Sequence, residues 1–309
     1  MKLAFLYAGQ GSQHTGMGKD LYEQNEAFRN AFDSADLPFD YKSLCFEGSE
    51  EQLSDTRYTQ PCMVAFACGV TAALKAEGIE PEAAAGLSLG EYSALQAAGV
   101  FSPKQAIELA AFRGNAMATA VQGRPCGMAA ILGMEREALA QCCKAVEQEG
   151  VCEIANYNCP GQLVIAGDAA AVEAACEQAK AAGARRCVPL KVSGPFHTSL
   201  MAPAGEALHQ RFQQEAFGEM KFPVVFNCLG RAKNQEETIP QLLEKQVQSS
   251  VYFEDSIRWL EQNGFDTVVE VGPGKALSAF VKKTAKSIRV LNVEDVVSFQ
   301  ATVSALKGE

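Results

Sequence analysis

The stretch AAAGLSLGEYSALQAA, residues 83–98, is the part of the sequence from which the fold can be inferred first. Inside it, Gly86-Leu87-Ser88-Leu89-Gly90 fits the G-x-S-x-G pattern of a nucleophile elbow, a sharp turn between a strand and a helix. The turn needs both glycines, because a Cβ two positions before or after the serine would have no room. A small apolar run precedes the turn, and Gly99 supplies a helix stop after it. Ser88 is therefore a candidate nucleophile; the alternative is a glycine-rich turn that contains a serine by chance.

The composition predicts a globular chain with no general affinity for polyanions. Its 309 residues are 48% hydrophobic, enough for one large domain or for a large domain that carries a small one. The net charge of −10 argues against general nucleic-acid binding and against an anionic membrane surface. The apolar run at residues 3–8 is too short for a secretion signal or a spanning helix, so we expect a cytoplasmic protein.

The eleven cysteines predict buried thiols. Their number is odd, no two of them form a C-x-x-C pair, and no histidine lies at a spacing that suits a metal site. We therefore expect neither disulfides nor a bound metal, and a reducing compartment.

The order of predicted elements indicates an α/β fold with an insertion. Strands at residues 2–7, 224–227, 267–271 and 288–293 alternate with helices, which is typical of a large α/β domain. Between them, six elements follow the ferredoxin-like order βαββαβ: strand 126–132, helix 135–149, strand 151–157, strand 161–167, helix 169–182 and strand 185–191. We expect a catalytic domain at 1–123 and 193–309 and a small subdomain at 124–192.

Helices are expected elsewhere from apolar periodicity and from glycine and proline signals. One amphipathic helix is indicated by Leu21, Phe28, Phe32 and Ala35, and Pro61 is expected to begin a central helix that ends at Gly78. Further helices are expected at 103–120, 203–217, 239–248, 253–263 and 275–284.

Two glycine-rich loops do not complete a nucleotide-binding motif. The third glycine of G-x-G-x-x-G, counted from Gly9 and Gly11, would fall at His14. The loop before Lys275 lacks the first glycine of a phosphate-binding loop, and Ala276 stands where a serine or threonine would hold magnesium. We interpret both as turns.

A serine nucleophile needs a base, and the chain has three histidines. His209 lies on the polar face of a predicted helix, and His14 lies in the Gly-Gln-Gly loop. His197 follows Gly-Pro-Phe in the loop that returns to the large domain, which suits a base at a cleft, so it is the better candidate. Asp168 begins a predicted helix, which favours an N-cap over a catalytic acid. We therefore expect a Ser-His dyad, oriented by a backbone carbonyl or an amide side chain.

The sequence resembles the malonyl-CoA:acyl carrier protein transacylases of bacterial fatty-acid synthesis over nearly its whole length. The resemblance rests on an ordered series of motifs: Gly9-Gln10-Gly11-Ser12-Gln13, Gly16-Met17-Gly18, residues 86–95, Arg113-Gly114, Asn158-Cys159-Pro160-Gly161-Gln162, Pro195-Phe196-His197, Gln246 five residues before Val251, and Glu270-Val271-Gly272-Pro273-Gly274-Lys275. It implies an α/β-hydrolase-like large domain with a parallel sheet and an inserted ferredoxin-like subdomain.

The resemblance also implies a mechanism and partners. Ser88, deprotonated by His197, would take the malonyl group from malonyl-CoA and pass it to the phosphopantetheine thiol of an acyl carrier protein, without a metal or other cofactor. Arg113, an arginine in an apolar helical run, would bind the free carboxylate of the substrate; a structural salt bridge is the alternative.

Further site residues follow from the same resemblance. The backbone N–H groups of Leu89 and Gln10 would hold the oxyanion, and Gln246 would orient the region of His197 through its backbone or its amide. Leu87 departs from the family, whose members usually have histidine there; its side chain would flank the acyl pocket, so this departure concerns substrate preference or rate and removes no reacting group.

Other functions share parts of this pattern. A serine esterase or thioesterase would use the same elbow and base but release the acyl group to water, and a carrier-binding subunit without activity would need no Ser88. A trans-acting polyketide acyltransferase would differ only in its carrier. An acidic carrier would need a basic surface, for which the candidates are Lys275, Lys282, Lys283, Lys286, Arg185, Arg186 and Lys191.

Overall fold

The computed structural model describes residues 1–190 and 194–308. The strands are β1 (Leu3–Tyr7), β2 (Ala83–Gly86), β3 (Cys126–Leu132), β4 (Cys152–Cys159), β5 (Gln162–Asp168), β6 (Arg186–Pro189), β7 (Val224–Phe226), β8 (Arg231–Ala232), β9 (Val251–Tyr252), β10 (Thr267–Val271) and β11 (Arg289–Val293).

The helices surround two sheets built from these strands. They are α1 (Lys19–Gln24), α2 (Glu26–Phe32), α3 (Tyr41–Glu47), α4 (Glu50–Ser54), α5 (Thr56–Ala76), α6 (Gly90–Ala97), α7 (Pro103–Ala120), α8 (Arg136–Lys144), α9 (Ala169–Ala181), α10 (Ala202–Phe212), α11 (Ile239–Val247), α12 (Phe253–Gln262), α13 (Ala276–Thr284) and α14 (Val296–Lys307).

The larger sheet has the order β11-β10-β1-β2-β7-β8. The first five strands are parallel, and β8 is antiparallel at the edge. Every residue of β1, β2 and β10 is buried, as expected for central strands with apolar packing on both faces. The predicted α/β fold with a parallel sheet is confirmed.

The smaller sheet has the order β6-β3-β5-β4-β9. Its first four strands pair antiparallel and, with α8 and α9, form the predicted ferredoxin-like βαββαβ unit. The fifth strand, β9, follows α11 in the chain and pairs parallel with β4. The boundary predicted at residues 192 and 193 lies outside the described residues, and the division into 1–123 with 193–309 and 124–192 stays a prediction.

The single helix expected from Leu21 to Ala35 is wrong. Asn25 is extended, with φ −127° and ψ 114°, and separates α1 from α2. Its side chain accepts a hydrogen bond from the N–H of Phe28 and so caps α2. A capping asparagine inside a continuous apolar pattern is thus enough to divide the predicted helix.

The central helix α5 also begins earlier than predicted. It starts at Thr56, with Asp55 as its N-cap, and Pro61 lies inside it rather than at its first position. The expected helix at 203–217 ends at Phe212, and α3, α4 and α14 were not predicted. Every residue of α5 from 59 to 71 is buried, so tertiary packing stabilises the helix on both sides of Pro61.

The contact between α5 and α7 brings polar side chains together in the core. At Gly114 the two helices approach so closely that an added Cβ would lie 2.6 Å from the carbonyl oxygen of Thr56. This approach lets Gln60 of α5 reach Arg113 of α7. Among the described residues, no helix has both the length and the apolar character needed to span a membrane.

Replacing Gly86 by alanine should destabilise the protein strongly. The added Cβ would clash with the backbone of Gly90 and Glu91, which cannot move aside like a flexible side chain. We expect the free energy of unfolding to fall by about 3 kcal/mol or more in urea denaturation. Gly127→Ala is the matched control, because its nearest neighbour would be Val172 at 3.7 Å. An equal loss in the two variants would contradict the proposed steric cause.

Candidate active site

Ser88 lies at the tip of a tight turn between β2 and α6. β2 ends at Gly86 and α6 begins at Gly90, as the glycine spacing predicts. The φ angle of Ser88 is 53°, in the left-handed region that residues with a Cβ rarely adopt. This strained conformation keeps the side chain of Ser88 half-exposed at the end of a central strand.

The imidazole of His197 faces the hydroxyl of Ser88. Its Nε2 lies 2.6 Å from Ser88 Oγ, and its Nδ1 donates to the carbonyl oxygen of Gln246 at 2.8 Å. That bond to a carbonyl puts the proton on Nδ1, so Nε2 accepts the hydrogen bond from the serine. Of the two orienting groups left open by the sequence, the backbone carbonyl contacts the imidazole.

Arg113 is fully buried, and the hydrogen-bond partners it has in the described part of the chain are uncharged. Nη1 donates to Gln60 Oε1 at 2.8 Å, and Nη2 donates to Gln246 Oε1 at 3.0 Å and to Ser88 Oγ at 3.1 Å. The guanidinium also lies over the ring of Tyr92, 5.6 Å from its centroid. Within the described residues no carboxylate pairs with it, and its buried Nε lacks a partner. This environment offers a positive charge to an anionic ligand.

Gln246 connects these three residues. Besides its contacts with His197 and Arg113, it donates from Nε2 to the carbonyl oxygen of Ser88 at 2.7 Å. That carbonyl shares a planar peptide group with the N–H of Leu89, so the bond also fixes the direction of this N–H. Gln246 thereby sets the orientation of both the imidazole and one backbone donor.

The two predicted oxyanion donors belong to loops beside Ser88. In the described part of the chain, neither the N–H of Leu89 nor that of Gln10 donates a hydrogen bond. The side chain of Gln10 donates to Thr56 Oγ1 at 3.0 Å, which anchors its loop to α5. Both residues line the same cleft as Ser88.

The positive charge of Arg113 affects the neighbouring base. Burial and this charge lower the pKa of His197 from 6.5 to about 3, so the imidazole is neutral around neutral pH. One turn after Ser88, burial raises the pKa of the Glu91 carboxyl to about 8, although the N–H of Asn227 and the charge of Arg113 oppose this.

A cleft of about 170 Å³ opens above Ser88 between the two sheets. Its apolar walls combine strands of the smaller sheet with the Ser88 turn, α7 and the segments around residues 190 and 196: Leu87, Met117, Met128, Val164, Leu190 and Phe196. The polar groups at its base are Ser88, His197 and Arg113. The arrangement suits a short acyl group that carries a negative charge at its far end.

The sequence of this chain matches a family described as the acyl transferase domain over residues 4–305. The chain belongs to the acyl transferase domain family. It is 44% identical to the malonyl CoA-acyl carrier protein transacylase of Bacillus subtilis (strain 168) over 311 residues, covering 100% of this chain and 98% of the relative. The protein of the same name from Staphylococcus aureus (strain MRSA252) is 37% identical, with 95% and 96% covered.

Solved structures of acyl transferases share the fold. The malonyl CoA-acyl carrier protein transacylase of Clostridium perfringens superposes with a TM-score of 0.96 at 39% identity, covering 100% of this chain and 98% of that one. A malonyl-transacylase solved in complex with a type II polyketide acyl carrier protein has a TM-score of 0.95 at 36% identity, with complete coverage of both chains.

The other two histidines of this acyl transferase lie away from the cleft. His14 is exposed, and its Nδ1 donates to the carbonyl oxygen of Thr15. His209 is also exposed and contacts Glu244 at 2.9 Å. Asp168 occupies the N-cap position of α9 but makes no capping hydrogen bond with its side chain, because its carboxylate binds Arg124 instead.

Three buried polar residues of the site were not predicted. Gln60 contacts Arg113, Asn227 contacts the turn at Ser88, and Glu91 contacts Asn227. Glu91 directly follows the elbow motif and lies in an otherwise apolar helix start, which was the one available signal. The partners of Gln60 and Asn227 are distant in sequence, and no local pattern indicated them.

The predicted basic residues lie partly at one end of the smaller sheet. Lys283 donates to Gln162 Oε1 at 3.3 Å, and Arg186 pairs with Leu132, which is also the register partner of Gln162. Lys275 is paired with Glu294 at 3.1 Å, and Lys191 lies outside the described residues. Carrier docking on this surface stays a prediction.

Within the described ranges, no three side chains of metal-binding type are grouped as a metal site.

Replacing Glu91 by glutamine should change how stability depends on pH. Because the pKa is raised from 4.5 to about 8, the folded protein holds a proton that the unfolded chain releases between these values. The wild type therefore loses stability as pH rises through this window, and the variant lacks this loss. We expect E91Q to gain on the order of a few kcal/mol relative to the wild type from about pH 5 to 8. Urea denaturation across this range checks it, and a pH-independent difference would show that Glu91 does not hold the proton.

Proposed function

We propose that this acyl transferase moves a malonyl group from malonyl-CoA to the phosphopantetheine thiol of an acyl carrier protein, through an ester on Ser88. The observation that carries the proposal is the buried guanidinium of Arg113, which pairs with no carboxylate of residues 1–190 or 194–308 and lies 3.1 Å from Ser88 Oγ. A cleft with apolar walls and a cation beside the nucleophile suits an acyl group that has its own carboxylate. The relatives named malonyl CoA-acyl carrier protein transacylase support the same reaction.

In the first half-reaction, Ser88 is acylated. His197 Nε2 accepts the proton of the Ser88 hydroxyl as Oγ attacks the thioester carbon, and the carbonyl oxygen becomes an oxyanion. The N–H groups of Leu89 and Gln10 stabilise this charge. When the carbon–sulfur bond breaks, His197 returns the proton to the sulfur, and CoA leaves as its thiol.

In the second half-reaction, the carrier thiol enters in place of CoA. His197 accepts the thiol proton, the sulfur attacks the malonyl ester, and a second oxyanion forms at the same donors. Collapse breaks the bond to Ser88 Oγ, which recovers its proton from His197. The second half-reaction is the reverse of the first with a different thiol, so one base and one pair of N–H donors serve both.

These steps use only groups of the chain itself, and malonyl-CoA is a substrate. We therefore propose no cofactor. All eleven cysteines are free thiols, which supports a reducing compartment and hence a cytoplasmic location.

The malonyl ester can be detected directly by intact mass. Incubation with malonyl-CoA should add one malonyl group to the wild type, and Ser88→Ala should add none while it keeps its fold. Subsequent addition of a carrier protein should remove the group as malonyl-carrier rather than as free malonate. Faster release of malonate than of malonyl-carrier would favour the thioesterase alternative, and a malonyl adduct on the Ser88→Ala protein would overturn the choice of nucleophile.

Arg113→Ala should reverse the preference between malonyl and acetyl groups. Losing the partner of a desolvated carboxylate costs about 3 to 5 kcal/mol, which lowers malonyl transfer by roughly 10² to 10⁴. Acetyl transfer should stay equal or rise, since an acetyl group has no carboxylate to pair. Rates with malonyl-CoA and acetyl-CoA measure this, and Arg258→Ala, which removes a half-exposed ion pair with Glu254, is the control. Equal losses for both substrates would make Arg113 a structural element.

The neutral state of His197 predicts an unusual pH profile. Because its pKa is lowered to about 3 in the free enzyme, kcat/KM for malonyl-CoA should stay level from pH 7, below the pKa of Glu91, down to about pH 5, where an ordinary imidazole would already be protonated. Binding of the malonyl carboxylate offsets the charge of Arg113, so kcat should begin to fall at a higher pH than kcat/KM. Steady-state rates measured at constant ionic strength give the pH profiles of kcat and of kcat/KM. A decline of kcat/KM centred near pH 6.5 would contradict the assigned cause.

A further inference from the structure

The side chain of Asn227 makes hydrogen bonds to the backbone that follows the last residue of β2 paired with β7. β2 and β7 pair in parallel through Ala84 with Val224 and Ala85 with Val225. After Gly86 the backbone turns away, and the amide of Asn227 takes the place of the next strand residue.

This amide bonds to both sides of the turn. Its Oδ1 accepts the N–H of Ser88 at 2.6 Å, and its Nδ2 donates to the carbonyl oxygen of Gly86 at 2.6 Å. The backbone N–H of Asn227 in turn donates to Glu91 Oε2 at 2.6 Å. The bonds to Gly86 and Glu91 are buried, so water does not compete for them.

The turn needs such support because Ser88 is held at a φ of 53°. A residue with a Cβ leaves the left-handed region unless its surroundings fix it there. Relaxation of Ser88 would move Oγ away from His197 and rotate the peptide group that carries the Leu89 N–H. Gln246 holds the carbonyl side of this residue, and Asn227 holds its N–H side.

We propose that Asn227 is a positioning residue of the transfer reaction, which fixes the strained backbone of Ser88 so that Oγ and the Leu89 N–H both face the acyl carbon. The proposal rests on the proposed function for the identity of the substrate. It does not need Asn227 to contact that substrate, since Asn227 acts through the two backbone bonds it makes at the turn.

The test uses Asn227→Leu and two readouts of Ser88. We expect kcat for malonyl transfer to fall about 10²-fold with little change in KM, the usual effect of a displaced reacting group. Labelling of Ser88 by methanesulfonyl fluoride, followed by intact mass, should slow in parallel. This second rate does not involve malonyl, so it tests the positioning role even if the substrate were a different acyl group.

Asn227→Asp supplies a pH signature that lost stability alone would not. Protonated, the new carboxyl can accept the Ser88 N–H and donate to the Gly86 carbonyl; ionised, it loses the donor. Burial raises the pKa of a carboxyl in such a place, so the activity of N227D relative to its parent protein should be highest near pH 5.5 and fall towards pH 8. Because Glu91 accepts a hydrogen bond from the backbone of residue 227 and its pKa is raised to about 8, N227D is made in the E91Q background and compared with E91Q alone, while Arg113 and His197 are the same in both proteins.

Thr302→Val is the matched control, because Thr302 is equally buried and donates to the carbonyl oxygen of Asn292 at 2.9 Å, far from the cleft. It should lose stability but keep the rate of Ser88 labelling. The proposal is overturned if Ser88 of N227L is labelled as fast as in the wild type, or if T302V is slowed as much as N227L. It is also overturned if the activity ratio of N227D does not change with pH. If N227L does not fold, the N227D ratio decides alone.

Discussion

The guanidinium of Arg113 lies in the core of the protein among neutral dipoles, and the rest of the site is arranged around this charge. Gln60, Gln246 and Ser88 accept its hydrogen bonds, and none of them cancels it. Burial, together with this charge, lowers the pKa of His197, so its imidazole is neutral and its Nε2 can accept the hydrogen bond of Ser88. In the proposed reaction, this buried cation would pair with the anionic acyl group and would also help to keep the general base neutral.

The fold supports this arrangement because parallel strands end at one edge. Ser88 follows β2 at this edge, and Asn227 follows the neighbouring strand β7. Gln246 of α11 contacts the carbonyl oxygen of Ser88. Crossover connections in a parallel sheet place loops and helix starts together at the carboxyl ends of the strands. Because α5 and α7 cross closely, Gln60 of α5 can accept a hydrogen bond from Arg113 of α7.

The sequence predicted those parts of the structure that have a local signature. The elbow glycines, the ferredoxin-like order of elements and helix α7 are all encoded by neighbouring residues, and the structure has them where expected. The predictions of one continuous helix through Asn25 and of a helix that starts at Pro61 were wrong, because in each case a capping residue, Asn25 or Asp55, decides where the helix begins. Asn227 lies 139 residues from the serine it contacts, and such a pairing follows only from the strand order.

The parallel pairing of β9 with β4 connects one wall of the cleft to the segment that follows α11. Asn156, which lines the cleft, is in register with Val251, and the rings of Tyr157 and Tyr252 stack with centroids 4.9 Å apart. β9 follows directly after the helix that carries Gln246, whose carbonyl holds the imidazole of His197. A group bound against Asn156 therefore lies against a strand that backbone pairing joins to β9, and a short segment joins β9 to the helix that carries Gln246. The wall of the cleft and the residue that contacts the imidazole thus belong to one continuous piece of the chain.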